Sequence, residues 1–129
     1  MRDYRHLTVW VKAHKLTLNV YNVTRNFPSD ERFGLTSQMR RSASSIGTNL
    51  AEGCGRRSDG ELARFVQIAM GSGAELSYQV LLARDLRYLQ SDEYSQLSTD
   101  LDEVMRMLSG FLSKVRRPAP ESVGLRAKG

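Results

Sequence analysis

Proline occurs three times in this chain of 129 residues, at Pro28, Pro118 and Pro120. Inside a helix proline removes a backbone donor and clashes with the preceding turn, so its positions bound what a helix can span. Two long stretches, one before Pro28 and one between Pro28 and Pro118, are free of it. From Leu7, apolar positions recur as Leu7, Trp10, Ala13, Leu16 or Thr17, Val20 and Tyr21, the spacing of one helix face. This first helix is predicted to stop near "RNFPSD", where Pro28 disfavours continuation.

A second helix is predicted from about Ser29–Phe33, with Leu35, Met39, Ala43, Ile46 and Leu50 as its core stripe. It ends at "EGCG", where Gly53 or Gly55 suits a left-handed cap. Ser58 and Glu61 have capping-box spacing and open a third helix, which carries Leu62, Phe65, Ala69, Gly73, Leu76, Val80 and Ala83 on one face and runs to about Leu89. Ser91 is the expected N-cap of a fourth, striped by Leu97, Leu101, Val104, Met105, Leu108, Phe111, Leu112 and Val115. Strand-like alternation is sustained nowhere. Four amphipathic helices with short connections predict an all-α, up-down-up-down four-helix bundle over residues 1–117. The segment 118–129 has no periodicity and is expected to be a flexible C-terminal tail.

No apolar run approaches the roughly 18 residues that a membrane span needs, and the N-terminus lacks the apolar core of a secretory signal. Cys54 is the single cysteine, so no intrachain disulfide or thiolate metal cluster can form. The expectation is a cytoplasmic protein with no membrane partner. A net charge of +5 and a pI near 9.7 invite an acidic partner such as RNA or DNA. The charge is uneven, with arginine pairs at 40/41, 56/57 and 116/117 and an acidic run of Asp92, Glu93, Asp100, Asp102 and Glu103.

The segment "RRSASSIGTNLAEGCGRRSDGE", residues 40–61, is unusual for a helix surface. From Ser42 to Ala51 it carries no charge, although exposed faces ordinarily carry Lys, Glu, Gln or Arg. Small residues permit close backbone approach, so this helix is expected to be packed on more than its core side. "AMGSGAE" in the third helix holds two glycines, each costing about 1 kcal/mol relative to alanine. A turn near Arg57 would set Ala43 opposite Gly71 and Ser42 opposite Ser72. It would also pair Glu75 with Arg40 or Arg41, and Glu52 with Arg56 or Arg64.

The segments "HLTVWVKAHKL", "FPSDERFGLTSQMRRSASSIGTNLAEGCGRRS" and "ARFVQIAMGSGAEL" resemble the four-helix-bundle proteins encoded in intervening sequences of bacterial 23S rRNA genes. The resemblance runs from about Leu7 to Val115. It rests on Arg40, Arg41, Ser45, Ile46, Asn49, Ala51, Glu52 and Gly53, then Gly71, Ser72, Glu75 and Leu76. It implies a bundle that assembles as a ring-like homopentamer, and it implies no settled activity. Ser45, Ile46, Asn49, Glu52, Gly53, Gly71, Ser72 and Glu75 are accordingly expected to be structural or interface residues. More distant relatives, the accessory proteins of diversity-generating retroelements, are basic pentamers that bind nucleic acid and a reverse transcriptase. That analogy supports an RNA-facing role, and by their charge Arg40, Arg41, Arg56, Arg57 and Arg64 are the candidate phosphate-binding residues.

Catalytic chemistry has little support. His6 and His14, eight residues apart, would lie about 12 Å apart on a helix and cannot share a metal. Zinc, calcium and phosphate-loop motifs are absent, and "GCGRRSDG" lies between helices rather than after a strand. Cys54 near Arg56 and Arg57 has a setting that can lower a thiol pKa, but without a histidine partner it reads as inert. Glu52 and Glu75 are the best general acid or base candidates, and the simpler reading pairs them with arginine. The expectation is a non-enzymatic oligomer with no cofactor or metal, binding nucleic acid through phosphate contacts. The alternative is an oligomeric scaffold for another protein. No exposed aromatic platform is visible in the sequence, so base readout is not expected.

Overall fold

The structure is a computed structural model that describes residues 2–117, and the expected tail at 118–129 lies outside the described residues. Four helices form the fold, α1 (Thr8–Thr24), α2 (Leu35–Cys54), α3 (Asp59–Asp85) and α4 (Ser91–Val115), with no strand among the described residues. Short 3-10 turns at Tyr4–His6 and Ser29–Glu31 precede α1 and α2. α1 packs on α2 and α4, α2 on α3, and α3 on α4, with the α2–α3 contact the most extensive. The four helices thus surround one core. Ala13, Leu16 and Val20 meet Met39, Ile46 and Leu50 there, with Val66, Leu76, Leu97 and Leu108 from the other two helices. No helix of the described residues is long and apolar enough to cross a membrane.

The helix ends differ from expectation where side chains take over the capping. α2 begins at Leu35 rather than within Ser29–Phe33, because Ser29–Glu31 closes its own turn and Glu31 Oε1 accepts the Leu35 N–H at 3.0 Å. Glu31 Oε2 also accepts the Tyr88 hydroxyl at 2.9 Å, joining the α1–α2 connection to the end of α3. At the other end of α2 no left-handed glycine occurs; Gly55 has φ −84°. Gly53 is needed for a different reason. A Cβ there would lie 2.9 Å from both Leu62 Cδ1 and Phe65 Cβ, so its hydrogen lets α3 approach. Ser58 caps α3 as expected, accepting the Glu61 N–H at 3.1 Å, while Glu61 accepts the Ser58 hydroxyl instead of reaching the backbone.

α3 stops at Asp85, four residues before the predicted Leu89. Arg87 adopts φ 66°, with Tyr88 N–H donating to Ala83 O and Arg87 N–H to Arg84 O, both at 2.9 Å. This is the Schellman arrangement that glycine usually serves. The reversal folds Leu89 back into the core and sets the Tyr88 ring 5.3 Å from that of Phe27. An L-residue in this conformation costs roughly 1–2 kcal/mol, so Arg87→Gly is expected to raise stability by about 1 kcal/mol after glycine's greater unfolded-state entropy is subtracted. Thermal and urea unfolding of the variant check this, and a loss of stability would contradict it. α4 is capped by Gln90 rather than Ser91, with the Gln90 N–H donating to Glu93 Oε1 at 2.9 Å.

Register between α2 and α3 is three residues away from the predicted one. Ser42 Oγ donates to Glu75 Oε1 at 2.9 Å, where Ser72 was the expected neighbour, and Ser72 Oγ donates to Ser45 Oγ at 2.9 Å. Gly53 tucks against Leu62 and Phe65, which draws α3 along α2 by nearly one turn. The predicted ion pair of Glu75 with Arg40 or Arg41 therefore does not form.

Candidate nucleic-acid interface

The five candidate arginines fall into two groups. Arg40 and Arg41 sit in the second turn of α2, and Arg56, Arg57 and Arg64 surround its far end. Fifteen residues of helix separate Arg41 from Arg56, roughly 22 Å, so the two groups cannot form one small patch. Among the described residues Arg41, Arg57 and Arg64 have no ion-pair partner. Arg56 pairs with Glu52 at 3.6 Å, one of the two partners foreseen for that carboxylate, and its guanidinium lies 4.9 Å from the Phe65 ring centre. Both charges of the pair are about half exposed, so it contributes at most about 1 kcal/mol.

Arg40 is held against α1. Its Nε donates to Thr24 Oγ1 at 2.9 Å, Nη2 donates to Tyr21 O at 3.3 Å, and the guanidinium lies 4.7 Å from the Tyr21 ring centre. The planar guanidinium is thereby fixed at three points.

The motif residues occupy the α2–α3 seam. Ile46 is core, Asn49 Nδ2 donates to Ser45 O at 2.8 Å and Ser45 Oγ at 3.0 Å, and Ser72 continues the chain of hydrogen bonds. Gly73 lies under the Met105 thioether, where a side chain would collide. Gly71 is different: it is exposed, and a Cβ there would meet nothing within 4 Å. Glu52 and Glu75 are both exposed, so neither has the desolvated setting that a general acid or base requires. Cys54 is buried, and burial pushes its thiol pKa up rather than down, against the opposing charge of Arg2. Native protein is expected to react slowly with iodoacetamide near neutral pH and rapidly once unfolded; equal rates in both states would contradict this.

The largest feature missing from the sequence reading lies between α1 and α2. Three adjoining cavities of about 360, 410 and 360 Å³ run along this side. The first lies between Tyr4, Trp10, His14 and Tyr21 on one wall and Gly47, Thr48 and Ala51 on the other. Tyr21 continues into the second, with Arg32, Phe33, Arg40 and Arg41. The third adds Arg25 and shares Arg32 and Arg40. No carboxylate lines any of them. The reason is in the composition of the walls: α1 has no acidic residue, and the only one in α2 is Glu52 in its last turn.

Trp10 and Tyr21 belong to the helical periodicity, which placed them with the core. They instead flank it. Gly47 lets the Trp10 indole lie against α2, with Nε1 3.2 Å from where a Cβ would be. The His14 ring stacks on Trp10 at 5.0 Å and 7°, and Tyr4 meets Trp10 edge-on at 4.9 Å. The uncharged Ser42–Ala51 stretch is thereby explained in part. Gly47 and Ala51 face this aromatic row, Ser42 and Ser45 face α3, and Thr48 remains exposed. The recurrence of aromatics at 10, 14 and 21 was the available signal.

Residues 5–110 match the model of a family described as 23S rRNA-intervening sequence protein. The fold is similar to that of a solved protein of unknown function from the S23 ribosomal protein family of Bacteroides thetaiotaomicron. The two share 22% identity and superpose with a TM-score of 0.76 over 81% of this chain and 95% of that one. No curated protein matches the chain.

Proposed function

The chain belongs to the 23S rRNA-intervening sequence protein family, and from that premise we propose that it is a non-enzymatic, oligomeric helical bundle that binds RNA or DNA through phosphate contacts. The observation that carries this reading is the carboxylate-free lining between α1 and α2, whose second and third cavities carry Arg25, Arg32, Arg40 and Arg41. A polyanion meets no like charge along that side, and Arg41 reaches solvent without a partner among the described residues. Arg57 and Arg64 add exposed cations near the α2–α3 turn, where Asp59 and Glu61 also stand. Phosphate contacts carry no sequence information by themselves, so binding is weakly selective.

Assembly belongs to the proposal. The helices run up-down-up-down over 1–117, and the protomers form a homopentameric ring. Gly71 supports this, because its cost inside α3 is offset by no close contact within the chain, while Ile68 and Tyr78 are exposed on the same helix. A ring repeats each arginine group and raises avidity through effective concentration.

Light scattering should give the mass of an oligomer, and fluorescence anisotropy at low salt should show binding to several unrelated RNAs and DNAs. If the assembled protein binds none of them where such binding is strongest, a scaffold for a protein partner replaces this reading.

A further inference from the structure

We propose that the trough between α1 and α2 is a single-strand site, in which unpaired bases stack on its aromatic rings while the flanking arginines hold the phosphates. The inference rests on the nucleic-acid reading above and specifies its form. Phosphate binding alone needs arginines but no aromatic floor. At the Phe33 end of the trough each ring has its arginine: Arg40 lies 4.7 Å from the Tyr21 ring centre and Arg32 lies 5.2 Å from that of Phe33. A guanidinium over one face of a ring sets positive charge beside the other face, as a nucleotide's base and phosphate require.

Phe33 is the sharpest observation. It is 86% exposed, the most exposed large apolar side chain among the described residues, and it opens into the cavity shared by Arg32, Arg40 and Arg41. Tyr21 is 40% exposed beside it, and the trough continues to the stacked pair of His14 and Trp10. α1 is about 25 Å long at 1.5 Å per residue, so the row of rings can accept several successive nucleotides. A duplex presents paired, internally stacked bases and cannot use such rings. The absence of any carboxylate along the lining supplies the charge complementarity.

Trp10 is the single tryptophan, so its emission reports the trough directly. The test compares a single-stranded oligonucleotide of about 12 nucleotides, within the range that single-strand grooves cover, with a blunt duplex carrying about the same number of phosphates. The single strand is expected to quench Trp10 and to bind about tenfold tighter than the duplex. Phe33→Ala should weaken single-strand binding between about fivefold and a hundredfold and leave duplex binding unchanged. Its exposure makes unfolding an implausible cause, and light scattering on the same variant checks assembly. Equal affinity for both probes, with Phe33→Ala inert, would overturn the stacking site while leaving phosphate binding intact. A Phe33→Ala variant that loses oligomer mass instead would make the trough a protein contact and also overturn it. Failure of both probes to bind would remove the underlying reading and this inference together.

Discussion

Gly53→Leu is expected to lower stability by about 3 kcal/mol, whereas Gly71→Ala is expected to raise that of the dissociated protomer by about 1 kcal/mol. The two glycines belong to the same pair of helices, and residue type alone would treat them alike. At Gly53 the first added carbon already lies 2.9 Å from Leu62 Cδ1 and Phe65 Cβ and 3.5 Å from the Leu62 carbonyl oxygen. Leucine adds three more carbons, and only a displacement of α3 can make room for them. That loss is a large share of the roughly 5–15 kcal/mol that holds a domain of this size. At Gly71 nothing lies within 4 Å, so alanine gains helix propensity without a clash. Urea titration followed by helical circular dichroism decides both; with a slope of about 1–3 kcal/mol per molar, the Gly53→Leu midpoint falls by about 1 M or more. In the proposed assembly the same substitution should lower the oligomer mass seen by light scattering relative to wild type, and an unchanged mass would place Gly71 outside the interface.

Affinity for RNA should fall by about a thousandfold or more between 50 and 200 mM salt, the behaviour of a protein that makes six or more phosphate contacts. One protomer spreads its unpaired arginines over separate groups, but the proposed ring repeats Arg41, Arg57 and Arg64 in each copy. Replacing Arg41 and Arg57 together with alanine should flatten the salt slope by roughly 0.7–0.9 for each phosphate that is no longer neutralised, and weaken unrelated RNAs alike. Arg56→Ala should do less, because that side chain is already engaged by Glu52 and Phe65. An unchanged slope in the double variant would show that these arginines touch no phosphate.

The core stripes were legible because burial selects apolar residues at helical spacing: Met39, Ala43, Ile46 and Leu50 are all fully buried. Ser58 was legible as a cap because its partner is three residues away. Capping by Glu31 was not, since its turn competes with the helix it caps and its second oxygen answers to Tyr88, far away in sequence. Arg87 was hidden for a related reason. An arginine in a left-handed cap carries no compositional signal, and packing of Leu89 and Tyr88 imposes it. The candidate arginines were named by charge alone, which finds cations and says nothing of which are already occupied.

Sequence by itself determined the helices, their core faces and the family, because each depends on residue spacing within a segment. Only tertiary structure decided the register of α2 against α3, the choice of Ser42 over arginine as the partner of Glu75, and the position of the aromatic row beside α2. Those depend on how closely two backbones approach. That distance is set at Gly53 and Gly47 by side chains from other helices, Leu62 and Phe65 in one case and Trp10 in the other. A hydrogen in place of a methyl group permits the contact, and the neighbour that uses it is chosen by the packing of the whole bundle.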